Sequence, residues 1–498
     1  MEATKVKRVV IAGGGTAGWI AAAALIKHLG PLIDITLVES DEIGTIGVGE
    51  STIPTTRAFH GFLGIYEQAF VRATQATFKL GIEFENWGKV GDRYFHAFGS
   101  VGKSVWMADF QHFWLEACAQ GFGGAYTDYS LEAHAAKANR FETHEGATIG
   151  YAYHLNATAY AKFLRGLAEP AGVRRVEGKI KQIHQHPETG FVEALELETG
   201  ARIEGDLFLD CTGFRALLSG QTLGVGYEDW SKWLATDAAL AVQTESTGPA
   251  APYTRAIAHE AGWCWRIPLQ HRVGNGFVYC SDYMSEDEAR AKFLAAIEGK
   301  PLFDPRLIRF KAGVRDKSWT KNVIAMGLAS GFIEPLESTS IHLIMIAVTR
   351  LIQSFPFDGI TDPVRERFNA QSRREMEHIR DFIILHYKLT ERDDSPFWRR
   401  CRDMEIPDSL AERIALFRDN AMAYQGNDEM FRIDSWIMVM LGQGVWPNSY
   451  HRLAQMMEPG QLQRALSDLK AGIAQQLAKL PDHQQFVQAY APATEVSN

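Results

Sequence analysis

Arg8 to Gly18 read RVVIAGGGTAG, and this stretch decides the fold. Val9, Val10 and Ile11 form a short apolar run, as expected of a strand buried on both faces. The run stops at Gly13-x-Gly15-x-x-Gly18, with Thr16 and Ala17 inside the motif, and the alanine-rich stretch Trp19 to Lys27 continues as a helix. A glycine turn between strand and helix lets backbone approach a pyrophosphate, and the helix N-terminus adds free N–H groups and positive partial charge. A second strand, DITLV at Asp34 to Val38, ends at Glu39, 21 residues after Gly18. An acidic side chain there would accept the ribose hydroxyls of a dinucleotide. A tight turn without ligand explains the glycines but not Glu39. The fold is read as α/β, with a Rossmann-like dinucleotide-binding domain.

Outward from this motif, the 498 residues allow two or three domains, or one large domain with an added lobe. Apolar residues make up 46%, enough for a sizeable core. The formal charge of −9 comes without a basic run, which argues against nucleic acid and anionic membranes as partners. Cys118, Cys211, Cys264, Cys280 and Cys401 are scattered without CxxC spacing, so no metal site or disulfide framework is expected. A polar opening that leads straight into the first strand, and no long uncharged apolar helix, predict a soluble cytoplasmic protein.

After Glu39 comes DEIGTIGVGESTIP, whose Gly44, Gly47 and Gly49 suit a loop lying flat against a planar ligand. TFKLGIEFENW, from Thr77, alternates: Phe78, Leu80, Ile82 and Phe84 fall on one face, Lys79, Gly81, Glu83 and Glu85 on the other, which predicts one strand. Residues 94–130 are rich in aromatic side chains, read as pocket wall or ordinary core. Tyr160 to Leu167 reads as helix, and Val173 to Glu204 as a small antiparallel unit with a turn at 187–190. DLFLDCTGFRALL, residues 206–218, repeats strand, small-residue turn and helix. Asn322 to Ser354 gives a strand, a glycine loop and the apolar helix IHLIMIAVTRLI, and from about Asp362 helical periodicity runs on, with fraying expected from about Ala491. The domain reading is 1–360 for dinucleotide binding and catalysis, with pocket insertions at about 80–150, and 361–498 for a mainly helical lobe.

Gly13–Gly18, Asp206–Gly213 and Gly327–Ser340 all carry nucleotide-fold logic. FAD is long and commonly gripped by later segments returning to the same sheet, so it is favoured over a nicotinamide cofactor. In the third segment Ser338 or Thr339 can cap the helix, leaving the amides of Thr339 and Ser340 free for a small anion, with Glu337 beside them as a general base. Plain capping, with Glu337 favoured by the helix dipole, explains the same residues.

With these residues in view, nearly the whole chain resembles the flavin-dependent tryptophan halogenase family. GGGTAGW and GVGESTIP resemble that family's FAD loop and isoalloxazine-side loop, FKLGIEFENW its lysine-bearing segment, and FIEPLEST the stretch with its catalytic glutamate. Trp263-Cys264-Trp265-Arg266-Ile267-Pro268 fits its WxWxIP signature. The resemblance implies Lys79 and Glu337 as catalytic residues, and halide on the amides of Thr339 and Ser340. It implies FAD contacts at Gly13, Gly15, Thr16, Ala17, Gly18, Glu39, Gly47, Val48, Gly49, Glu50, Cys211, Thr212, Gly213, Gly327, Leu328 and Phe332. Trp263, Trp265, Ile267 and Pro268 would shape the wall near the flavin. Substrate would meet Ile82, His96, Phe98, Ser338, Phe397 and Trp398, with the ring held between His96 and Phe98. The implied chemistry uses FADH2 from a separate NAD(P)H-dependent flavin reductase, with O2 and bromide or chloride. Hypohalous acid is then guided by Lys79 onto a small electron-rich aromatic ring, and Glu337 activates it or takes the ring proton. No metal is implied, and a homodimer is left open.

Two departures bear on specificity. Ser340 stands where the family stretch usually has glycine, which alters the backbone or halide fit and opens a preference for bromide over chloride. In HYKLTERDDSPFWRRCR, His386-Tyr387 stand in place of the family's tyrosine pair, Asp393 near a glutamate and Arg402 for an asparagine, which brings in free indole, substituted indoles or phenols alongside tryptophan. Competing readings are a flavin-dependent aromatic hydroxylase and a catalytically silent FAD-binding protein.

Overall fold

A computed structural model describes residues 5–44, 50–105, 107–144 and 146–493. Strand β1 (Arg8–Ala12) buries everything after its first residue, as its unbroken apolar run requires. It pairs in parallel with β2 (Asp34–Glu39) on one side and with Leu207–Asp210 on the other. Helix α1 (Thr16–Leu29) makes the crossover between β1 and β2. Six strands complete the sheet in the order Trp319–Thr320, Val323–Ala325, Leu207–Asp210, β1, β2, Arg174–Glu177, and only the first pair is antiparallel. Carboxyl ends of β1, β2 and Leu207–Asp210 therefore open onto one crevice, the usual ligand position in such sheets.

The stretch from Thr77 forms two strands rather than the single one its alternation predicts. β3 (Thr77–Lys79) joins a small sheet with Ala152–Leu155. β4 (Gly81–Glu85) joins a seven-stranded sheet between Thr254–His259 and Arg93–Ala97. The switch occurs at Leu80, whose N–H donates to the Pro252 carbonyl and whose own carbonyl accepts from Phe98. A Cβ at Gly81 would lie 2.4 Å from the His96 carbonyl oxygen, so only glycine fits where the strands part. The second face is not solvated either: Lys79 and Glu85 are both buried.

Three other readings change. Arg174–Glu177 leaves the predicted antiparallel unit for the parallel sheet, while Ile180–Gln185, Val192–Leu197 and Arg202–Glu204 stay as a three-stranded sheet. After Leu207–Asp210 the chain makes a 3-10 turn at Gly213–Arg215 and a π-helix at Leu217–Thr222, not a regular helix. The buried Asp210 carboxylate accepts from the amides of Thr212, Leu218 and Ser219, holding that coil against the strand end. Ala491 is buried, and its carbonyl accepts from Gln270 instead of fraying.

The apolar helix is α2 (Ser340–Gln353), and the helical region opens with α3 (Asp362–Lys388), which packs on α2. One buried apolar cluster runs from Val6 to Ala491, so the C-terminal helices share the core of the sheets. The helix His483–Tyr490 braces β3: Phe78 donates its N–H to His483 Nε2 at 3.2 Å and packs among Phe141, Phe486 and Tyr490. Among the described residues no helix is long and apolar enough to cross a membrane.

Candidate active site

The crevice at the strand ends is a cavity of about 1180 Å³. Gly13, Gly15, Thr16 and Ala17 line it from the first turn, Glu39 from the end of β2, and Cys211, Thr212 and Gly213 from the next strand. Gly327, Leu328 and Phe332 line it from the third segment, and Trp263, Trp265, Ile267, Ser338 and Ser340 from its deeper wall. Pro268 continues that strand outside the lining, hydrogen-bonded through its carbonyl to the Thr77 hydroxyl. Gly13 adopts a φ of +107°, and a Cβ there would stand 2.3 Å from the Cys211 carbonyl oxygen. At Gly18 a Cβ would meet the Gly13 carbonyl oxygen at 1.9 Å, so Gly18 shapes the turn from behind. Glu39 lies over Gly14, accepting from Arg175 Nε at 2.5 Å and Trp19 Nε1 at 3.3 Å. A cavity this large with a glycine floor, a helix N-terminus and an acidic ribose acceptor fits FAD. Gly47, Val48 and Gly49, and the side chain of Glu50, lie outside the described residues.

Behind the cavity the buried Lys79 Nζ donates to Ser51 Oγ at 2.7 Å, Ser338 Oγ at 2.9 Å and the Thr52 carbonyl at 3.3 Å. It also stands 5.2 Å from the centre of the Phe98 ring. Burial lowers its amine from 10.5 to about 7, against the pull of Glu337. A solvated lysine on a strand face would stay charged at neutral pH, whereas this one changes state there.

Glu337 is 1% exposed, with both carboxylate oxygens 3.0 Å from His96 Nδ1. His386 Nε2 lies 3.0 Å from one of them, off the line of a straight hydrogen bond. Burial alone pushes this carboxyl up, but the two imidazoles outweigh it and hold it at about 2. Glu337 is therefore an ionised acceptor throughout the neutral range. The next residue, Ser338, sits at φ +61°, and this left-handed step turns its hydroxyl to Lys79 and starts α2. α2 begins with Thr339 as its cap, without a capping side chain. The amides of Thr339 and Ser340 have no acceptor among the described residues, and the buried Thr339 hydroxyl is also unpartnered. Two free amides at the start of a helix make an anion site.

A family model for tryptophan halogenases matches residues 8–459. The chain belongs to the tryptophan halogenase family. Tryptophan 7-halogenase RebH of Lentzea aerocolonigenes is 35% identical to it, over 91% of this chain and 92% of that one. Xcc4156, a flavin-dependent halogenase from Xanthomonas campestris, superposes with a TM-score of 0.97 at 52% identity and 99% coverage of both chains. BrvH, a flavin-dependent halogenase from Brevundimonas sp. BAL3, gives 0.94 at 44%, covering 98% of this chain and 100% of that one. This chain is thus a flavin-dependent halogenase.

In this halogenase the aromatic wall differs from the one read in the sequence. His96 pairs across the strands with the buried Ile82 and faces Phe382 and Phe431, which stack on each other at 3.7 Å. Phe98 packs with Ile53, Ala152 and Met430. Phe397 and Trp398 are not brought to Lys79. They are buried behind Tyr387, and Trp398 reaches Glu337 only through Trp87 and His386. His386 does not stand in for a substrate clamp: it is fully buried, one nitrogen faces Glu337 and the other lies 2.9 Å from the Tyr94 hydroxyl. Arg175, Phe382 and Phe431 carried no sequence signal, because each joins the site from an element far along the chain.

Proposed function

We propose that this halogenase transfers bromide- or chloride-derived halogen to an indole-like ring, using reduced FAD delivered by a separate NAD(P)H-dependent reductase. The observation that carries the reading is the joining of Lys79 to the turn bearing Glu337, through the 2.9 Å bond from Nζ to Ser338 Oγ. Bound as FADH2 in the glycine-lined cavity, the cofactor supplies with O2 the two-electron oxidation that turns halide into hypohalous acid. The amides of Thr339 and Ser340 hold the halide, beside Ser340 at the cavity wall. Trp263 and Trp265 close that wall and keep bulk water from the oxidant. Lys79 donates a hydrogen bond to the oxygen of the hypohalous acid and aims its halogen at a ring held between His96 and Phe98. Glu337 accepts the proton that leaves the halogenated ring carbon. Since His386 is committed to Glu337 and Tyr94, no amino-acid clamp is assembled there, which supports free or substituted indole as well as tryptophan.

The test is mass spectrometry of indole and tryptophan after incubation with the protein, FAD, a flavin reductase, NADH and either halide. A halogen isotope pattern that vanishes in Lys79→Ala supports the reading. Hydroxylated product defeats it, and no product with FAD bound overturns the substrate class.

A further inference from the structure

We infer that Glu334 is a positioning residue for halogenation: its buried carboxyl ties the hydroxyls of Thr236 and Tyr387 and the indole N–H of Trp263 to the turn that carries Glu337 and Ser338.

The inference rests on the reading of Glu337 and Lys79 above. Glu334 immediately precedes the 3-10 turn Pro335–Glu337 and is 0% exposed. One oxygen accepts from the Thr236 hydroxyl at 2.6 Å. The other is buried with no hydrogen bond, and so are Trp263 Nε1 and the Tyr387 hydroxyl. These three unpartnered atoms face one another, since the indole N–H and the phenol both act on the Glu334 carboxyl. Native interiors rarely leave three polar atoms unpaired in one place. As two donors beside one acceptor oxygen, they satisfy one another after a small closure of the turn.

Position explains what the carboxyl is for. Glu334 caps the 3-10 turn and Glu337 ends it, and both side chains meet the same neighbour, α3. There, successive residues receive them: His386 faces Glu337 and Tyr387 faces Glu334. On the opposite side Trp263 belongs to the cavity wall. The turn is thus pinned between α3 and the flavin wall, and Ser338, its next residue, holds Lys79. The two carboxyls are also driven apart in acidity: burial raises that of Glu334, while the imidazoles lower that of Glu337 to about 2. Glu337 is held ionised, whereas burial disfavours the charge on Glu334. Glu334 serves as the fixed point from which Glu337 and Ser338 are aimed, and Phe397 and Trp398 find their use as the packing that backs Tyr387.

The experiment compares full-length wild type with Glu334→Ala, Glu334→Gln, Trp263→Phe and the double variant Glu334→Ala/Trp263→Phe. It measures FAD affinity by fluorescence titration, kcat and KM for indole, and halogenated product formed per O2 consumed. Because a displacement near 1 Å at a reacting group costs up to about a hundredfold, Glu334→Ala is expected to lower kcat and product yield per O2 at least about tenfold. FAD affinity and KM should stay within about threefold. Glu334→Gln keeps an acceptor oxygen and should recover part of the loss. Trp263→Phe removes the N–H donor together with part of the ring that lines the wall, and the part of its loss that comes from the donor should not multiply with that of Glu334→Ala. Unchanged kcat and yield in Glu334→Ala, or multiplying losses in the double variant, would overturn the inference. If Glu334→Ala does not fold, Glu334→Gln and Trp263→Phe decide alone: full yield in both refutes it. A wild type that makes no halogenated product refutes the halogenase site itself, a result distinct from an active wild type with an active Glu334→Ala.

Discussion

Replacing Lys79 by methionine should stabilise the protein while abolishing halogenation. Its amine is fully buried and lowered from 10.5 to about 7. At roughly 1.36 kcal/mol per pH unit, that fall means about 4–5 kcal/mol of folding stability is given up at pH 7 to keep this group dry. Methionine fills nearly the same volume without a charge, but it removes three donated hydrogen bonds, worth together about 2 kcal/mol because Ser51 and Ser338 already bond each other. The net gain is about 2–3 kcal/mol, and for 498 residues, with an unfolding entropy near 1 kcal/mol per degree, Tm should rise by about 2–3 °C. The pH dependence carries the sharper sign. Between about 7 and 10.5 the unfolded lysine is protonated and the folded one is not, so the wild type gains stability as pH rises. The advantage of Lys79→Met should therefore shrink from pH 7 to pH 10, with scanning calorimetry of the flavin-free proteins as the assay. A variant less stable than wild type at pH 7, or a difference that does not move with pH, would refute the reasoning.

Glu337→Gln removes the ionised acceptor while keeping its shape, and should lower kcat about 10²–10⁴-fold at unchanged FAD affinity, measured by steady-state halogenation. His386→Ala takes away one of the two imidazoles that oppose burial, so the Glu337 carboxyl should rise and the acid limb of the kcat/KM profile should move to higher pH. An acid limb at the wild-type position would count against that pairing. Gly13→Ala forces a side chain into a φ of +107° and onto the Cys211 carbonyl. With strain of about 1–3 kcal/mol, FAD should bind at least about tenfold more weakly in a fluorescence titration.

Local chemistry made the flavin side of this site legible. The steric demand at Gly13 and Gly18, the apolar run of β1 and the acidic end of β2 are all properties of a few neighbouring residues, and they appear in the structure as read. The same holds for the free amides after Ser338. Lys79 was harder, because alternation along a strand shows which residues share a face but not whether a second layer covers the other face. Leu80 marks the same limit: the sheet switch depends on Pro252 and Phe98, which no local pattern around Thr77 contains. Phe397-Trp398 misled for a related reason. Both a ring slot and a core call for aromatic side chains, and only three-dimensional placement puts Phe382 and Phe431 beside His96 instead. His386-Tyr387 read as a changed substrate clamp until burial turned both toward the turn of Glu334 and Glu337.

The bond from Phe78 to His483 spans 405 residues. Among the described residues the cavity lining ends at Ile344, well before that partner is synthesised. A ribosome-bound chain can therefore already carry the described lining of the strand-end crevice while the strand beneath the lysine still lacks its brace. Because contacts so distant in sequence close late in folding, the oxidant-handling half of this enzyme should be among the last parts to become rigid during biosynthesis. A protease cut near Leu480 should release that strand first, leaving a protein that still takes up flavin.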